Sequence, residues 1–159
     1  MSGLNWTRCP SLKEWNRERL EKVRKLILET TGETYDVERI QNLPLNEEFG
    51  RWVLTDGKRD QGILWVMRLT NQCARVLAFS VTNELQGNGI GAEGWRKFAM
   101  TAKELGIRTV QLEVRQDNRV AIAMYHRRGL RPKGRIIGFY RGHDGWLMRG
   151  PLLSEAASQ

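Results

Sequence analysis

Three glycines at alternating positions, Gly87, Gly89 and Gly91, sit inside "LQGNGIGAEGW", between an apolar run ending near Thr82 and an amphipathic run starting at Ala92. Glycine lets backbone approach a ligand closely, and successive N–H groups at a helix N-terminus form a concave anion site, helped by the helix dipole. These residue types point to phosphate binding. They do not point to metal chemistry. Cys9, Cys73, His126 and His143 stand in no paired-ligand spacing, so no metal is expected, and two cysteines are too few for a disulfide framework.

Charge points the same way. The 159 residues carry a net charge of +8, but residues 1–93 are balanced, with 13 basic and 13 acidic side chains. Residues 94–150 carry 13 basic groups against four acidic ones, Glu104, Glu113, Asp117 and Asp144. Arg127, Arg128, Arg131, Lys133 and Arg135 fall within nine residues. Such a cluster suits a polyanion, whether a phosphorylated cofactor, RNA or DNA, although a solvated surface would carry the same residues.

The elements that must position these groups are legible from hydrophobic period. Ser11 and Glu14 have capping-box spacing, and Leu12, Trp15, Val23, Leu26 and Ile27 recur at helical intervals, which predicts a helix over 12–30. A shorter helical piece follows around 34–42. "RWVLT", "GILWVMRL" and "ARVLAFSVT" then read as three consecutive antiparallel strands joined by hairpin-type connections. After the glycine loop come a helix stopped by Gly106, the alternating strand "RTVQLEV", a helix capped by Asn118 and closed by Gly129, and a last hairpin around "RGHD". The expected fold class is mixed α/β (α+β): one domain over 1–159, its sheet mostly antiparallel with six to seven strands and helices on both faces. Its parts are an N-terminal helical part at 11–42, a core at 50–150 and a frayed tail at 154–159. No 18-residue apolar stretch and no signal-peptide layout occur, so a cytoplasmic protein without membrane contact is expected.

Gly87, Gly89 and Ala92 fit the dinucleotide pattern G-x-G-x-x-G/A, with Glu113 near the next strand's end as a ribose-binding acid. The surrounding organisation disagrees. A dinucleotide fold places this turn in its first βαβ unit, whereas three antiparallel strands precede it here and only about 65 residues follow.

Gln86 in front of the glycines changes the reading. Gln86-Gly87-Asn88-Gly89-Ile90-Gly91 is Q-x-x-G-x-G, which resembles the acyl-CoA signature of the GNAT superfamily of N-acetyltransferases. A second segment, "LEVRQDNRVAIAMYHRRGL", is similar to that superfamily's strand–helix motif at the expected distance. The resemblance covers roughly 50–150, and within the superfamily it is greatest to bacterial ribosomal-protein N-terminal acetyltransferases.

The resemblance implies a ligand and a role for each matched residue. Acetyl-CoA is the co-substrate. Phe79, Ser80 and Val81 offer backbone groups to the pantetheine arm. The loop Gln86, Gly87, Asn88, Gly89, Ile90 and Gly91, with Ala92, cradles the pyrophosphate. Asn118 bonds the arm near its acyl end, although a plain N-cap would explain it too. Tyr125 protonates or hydrogen-bonds the departing thiolate, a task for a phenol of pKa about 10. Glu113 is the candidate base for the acceptor amine, directly or through water, with pairing to an arginine as the structural alternative. Glu84 is a second candidate on the acceptor side. Tyr140, in "GFY", matches an aromatic that shapes the peptide site. His126, Arg127 and Arg128 give a basic acceptor side that disfavours cationic small amines, and Leu130 stands where phenylalanine is usual.

The resulting expectation is a transferase that moves an acetyl group to a primary amine by direct attack. Its acceptor is macromolecular, a protein N-terminus or lysine or a nucleic-acid amine drawn in by the basic C-terminal half. A small-molecule amine is the alternative within the enzyme class. A catalytically idle nucleic-acid-binding module on the same scaffold is the alternative outside it.

Overall fold

The structure, a computed structural model, describes residues 3–156, so the end of the expected tail lies outside the described residues. In chain order the elements are β1 (Asn5–Arg8), α1 (Arg17–Thr31), α2 (Val37–Gln41), β2 (Arg51–Thr55), β3 (Asp60–Arg68) and β4 (Cys73–Val81). There follow α3 (Ile90–Glu104), β5 (Thr109–Arg115), α4 (Arg119–Arg127), β6 (Arg131–Tyr140) and β7 (His143–Pro151). Seven strands form one sheet in the order β1-β2-β3-β4-β5-β7-β6, and only the β4–β5 pair is parallel.

Strand alternation builds a core on each face. Ile63 and Trp65 of β3 turn one way, with Val53, and meet Leu20, Val23 and Ile27 of α1 and Ile40 of α2. Leu64 and Val66 turn the other way, toward Trp95, Phe98, Ala99 and Ala102 of α3. Each of these side chains is nearly or fully buried. Such burial is worth about 1.5–3 kcal/mol for each large apolar side chain, which is why the two helical layers hold the sheet between them.

Two expectations are corrected. The helix starts at Arg17, not at 12. Ser11 Oγ accepts from the Lys13 N–H (3.3 Å) and caps only a 3₁₀ turn, while Asn16 Oδ1 accepts from the Arg19 N–H (2.8 Å) as the true N-cap. Between them Trp15 takes an extended conformation. There it buries its ring edge-on to Trp65, centroids 6.2 Å apart, under the Arg19 guanidinium at 3.6 Å. Tertiary burial of one indole outweighs continuation of the local helix. The second correction is β1, which four residues were too few to announce. Its Trp6 is 2% exposed, donates Nε1–H to the Ile90 carbonyl (2.8 Å), and lies where a Cβ on Gly94 would stand 2.5 Å from Trp6 Cε2. β1 therefore completes one edge of the sheet and pins the start of α3.

Candidate active site

β4 and β5 pair only from Cys73 opposite Thr109 to Val76 opposite Leu112, then part. The cause is local. Trp65 lies opposite Ala78 but its neighbour Val66 lies opposite Val76, so Leu77 is an extra residue in β4 and the strand bends there. The Tyr35 phenol reaches the Leu77 carbonyl at 3.5 Å. Beyond the bulge the two parallel strands open into a V with backbone lining its arms.

A cavity of about 600 Å³ fills the V and runs toward the start of α3, a size suited to a small-molecule ligand. It brings together Phe79, Ser80 and Val81 from β4, Gln86, Gly87, Gly89, Gly91 and Ala92 from the loop and α3, and Asn118 and Tyr125 from α4. Gly87 and Gly89 have φ of +84° and +76°, and a Cβ on either would meet nothing within 4 Å. The loop is thus a left-handed, open cradle that glycine alone enters without strain. Gln86 holds it in shape, its Nε2 donating to the Val81 carbonyl (2.9 Å) and Asn83 Oδ1 (3.2 Å).

Two buried polar atoms on the cavity wall have no partner among the described residues: Ser80 Oγ (4% exposed residue) and Arg128 Nε (9%). An orphaned hydroxyl and an orphaned guanidinium nitrogen on one cavity wall fit a ligand that carries both amides and phosphates. Arg127 and Arg128 therefore line the same groove as the glycine loop, a correction to the expectation that they face the acceptor. Asn118 caps α4, its Oδ1 accepting from the Ala121 N–H (3.2 Å), while also lining the cavity.

Tyr125 is 6% exposed and packs among Phe79 and Trp95, centroids 6.4 and 5.9 Å away. Burial, and then the charge of Glu33, push its phenol well above the usual tyrosine range, so it stays a neutral O–H donor. Asn88 and Ile90 belong to the loop but not to the cavity lining. Asn88 is exposed, its Nδ2 3.4 Å from the Leu85 carbonyl, and Ile90 carries the carbonyl that accepts from Trp6. Glu84 is exposed in a 3₁₀ turn (Asn83–Leu85) and lies off the cavity.

The remaining candidates, Glu113 and Tyr140, do not line the cavity. Glu113 is ion-paired with Arg75, whose Nε lies 3.3 Å from Oε2. The Tyr140 oxygen accepts from the Thr34 N–H at 2.6 Å, a bond that holds its phenol below the usual range and ties the β6–β7 hairpin to the loop between α1 and α2. That loop contains Glu33, which no sequence motif marks. Burial raises the Glu33 carboxyl above its ordinary range while Arg39 and Arg115 pull it down, and its charge is felt at Tyr125, Tyr35 and Tyr140. Arg115 fixes the loop through the Thr31 carbonyl (3.5 Å) and is itself held by Asp117 (2.7 Å). Thr30 and Thr31, just before this loop, also line the cavity, so the groove opens beside Glu33.

The sequence profile of the acetyltransferase (GNAT) family matches residues 10–130. The chain belongs to the GNAT family of acetyltransferases. It is an acyltransferase enzyme by that membership. Among solved structures, Ard1 from Thermoplasma volcanium superposes with a TM-score of 0.81 at 22% identity, covering 95% of this chain and 99% of that one. The ribosomal-protein-S18-alanine N-acetyltransferase of Escherichia coli does so at 0.76 and 16% identity, covering 98% and 97%. A GNAT family acetyltransferase from Elizabethkingia anophelis, solved with acetyl-CoA bound, gives 0.70 at 11% identity, covering 96% and 100%. At these identities the likeness is one of fold. No curated protein matches the sequence at a significant level.

Proposed function

We propose that this GNAT enzyme uses acetyl-CoA to acetylate a primary amine on a macromolecule, foremost the N-terminus of a protein. The observation that carries the reading is the V itself. A glycine cradle and two arginines line its cavity, together with Thr30 and Thr31, which lead directly into the Glu33 loop whose charge reaches Tyr125. A thioester threaded along this groove would meet an amine arriving beside Glu33, without a covalent enzyme intermediate. Neither cysteine lies at the V, which supports direct attack.

Each residue then has a task. Gly87, Gly89 and Gly91, with Gln86, Asn88, Ile90 and Ala92 shaping the turn, hold the pyrophosphate, and Arg127 and Arg128 add cations at that end. Phe79, Ser80, Val81 and Asn118 hold the pantetheine arm in the manner of an added strand. Backbone N–H groups near Val81 polarise the thioester carbonyl. Tyr125, kept neutral by its raised pKa, donates its O–H to the departing thiolate and stabilises it, although the same shift makes it a weaker acid. Glu113 or Glu33 takes the amine proton, directly or through water. The raised carboxyl of Glu33 makes it the better proton acceptor, whereas Glu113 is committed to Arg75. Glu84, exposed and off the cavity, is left to contact a bound acceptor.

A nucleic-acid amine is the second reading. It is favoured by Arg131 and Lys133 on the exposed strand β6, where Arg131 bonds backbone carbonyls of His126 and Leu130 rather than a carboxylate. The deciding experiment is mass spectrometry of ribosomal proteins, peptides, RNA and small amines after incubation with the protein and labelled acetyl-CoA. Label on a protein or peptide N-terminus supports the first reading, label on RNA the second, and retained CoA with no label on any amine removes both.

A further inference from the structure

Two arginines flank the acceptor side and are matched there by an aromatic ring. Arg39 of α2 lies over the Tyr35 ring at 4.3 Å, and Arg141 of the β6–β7 turn lies over the Tyr140 ring at 5.5 Å. Between them runs the Glu33–Thr34–Tyr35 segment, tied to Tyr140 by the 2.6 Å bond from Thr34. The other charges nearby have partners of opposite sign: Arg75 has Glu113, and Arg115 has Asp117, which His143 also approaches at 3.5 Å. Glu33 exerts a Coulomb pull on Arg39 but sits deeper, half-buried behind it. The surface thus presents two exposed guanidiniums, neither in an ion pair among the described residues, near the half-buried Glu33.

Arg141 also occupies a costly conformation. Its φ is +43°, the only positive φ of a non-glycine residue among the described residues, and Gly142 follows at +84°. Tyr140 pairs with His143, so Arg141 and Gly142 form a two-residue hairpin turn of the kind that favours Asn, Asp or Gly at both positions. A long cationic side chain in that place costs backbone energy, and it lies exposed over the Tyr140 ring. Strain kept at a site's edge is an indication of use.

We propose that Arg39 and Arg141 select acceptor N-termini that carry acidic residues at positions 2–4. This rests on the reading of the site as one that acetylates a peptide amine. The ammonium of such a peptide would meet Glu33. Its following residues, rising about 3.3 Å each in extended form, would bring carboxylates to the exposed guanidiniums. A peptide with lysine or arginine at those positions would be repelled.

The experiment uses the full chain, acetyl-CoA and peptides identical except for Glu, Ser or Lys at positions 2–4. kcat/KM for the Glu peptide should exceed that for the Ser peptide about three- to tenfold, the range for two exposed ion pairs, with Lys below Ser. The ratio should fall toward one in about 1 M salt, where the screening length is about 3 Å. R39E with R141E should invert the order, and R141K should retain it. R141G should lower the Glu-to-Ser ratio while leaving the melting temperature equal or higher, because it relieves the turn. Acetylation of all three peptides at equal efficiency, or preference for Lys, would overturn the selectivity and leave the enzyme reading intact. Acetylation of none, or of RNA amines instead, would remove the peptide reading and this inference together.

Discussion

In the proposed reaction Tyr125 and Glu33 carry the chemistry at the scale of single residues, and burial shapes each. With its phenol pushed up by desolvation and by Glu33, Tyr125 is a neutral donor throughout the working range. Y125F should lower kcat about a hundredfold, the usual loss for a general acid, while calorimetry finds CoA affinity within a factor of about two. Glu33 gives a sign that can be checked. Its folded pKa lies above its unfolded value. Its contribution to stability is therefore full below the unfolded pKa of about 4.3 and is lost as pH rises through the folded pKa. Melting curves should show E33Q gaining on the parent as pH rises from about 4 to 8. The acidic limb of kcat/KM should disappear in the same variant if Glu33 takes the amine proton. A loss confined to E113Q would assign that proton to Glu113 instead. Tyr125 could be picked out from its motif. Glu33 could not, because its burial comes from packing between a loop and a distant hairpin.

At the scale of elements, the glycine loop and the split strands decide the site. Gly89 caps α3 in the left-handed region and opens toward the cavity. G89V should abolish CoA binding in a pull-down or by calorimetry. It should cost roughly 1–2 kcal/mol of stability, the ordinary penalty for a side chain in that region. G94A is the contrasting case. Its new Cβ would stand 2.5 Å from the buried Trp6 ring, so thermal unfolding should show a loss of about 1–3 kcal/mol. Its residual CoA affinity should stay nearer the parent's than that of G89V. The strands β2 to β5 and helices α3 and α4 were legible because their apolar periods run long enough and their ends carry Asn118, Gly106 and Gly129 as stop and start signals. The start of α1 and the whole of β1 were not. Trp15 and Trp6 leave the local pattern to bury themselves against Trp65 and Gly94, contacts between residues tens of positions apart.

For the whole molecule, the cavity is walled by residues of α1, β4, the glycine loop, α3 and α4, so its occupancy by CoA should stabilise the entire domain. CoA at about a hundred times its Kd should add about 2.7 kcal/mol. For a chain of this size that is a rise in melting temperature of roughly 5–11 °C by scanning fluorimetry. NAD, whose adenosine carries no 3′-phosphate, should produce little shift. Equal shifts with both ligands would restore the dinucleotide reading that the glycines alone permit. The charge asymmetry belongs to this scale too. The basic excess of the C-terminal half divides between cavity-lining Arg127 and Arg128, a structural pair at Arg135 and Asp144, and an exposed edge strand.

The sequence by itself determined the family, the strand–loop–helix unit around the three glycines, and the positions of the cavity-lining tyrosine and the capping asparagine. These are local: a short pattern of residue types dictates backbone conformation wherever it falls. Only the tertiary structure decided the rest. It bent β4 at Leu77 so that the parallel pair opens, turned Arg127 and Arg128 into the groove, committed Glu113 to Arg75, and buried Glu33 beside the opening. A carboxylate's chemistry is set by which charges and how much water surround it, and those neighbours come from strands and loops far apart in the chain.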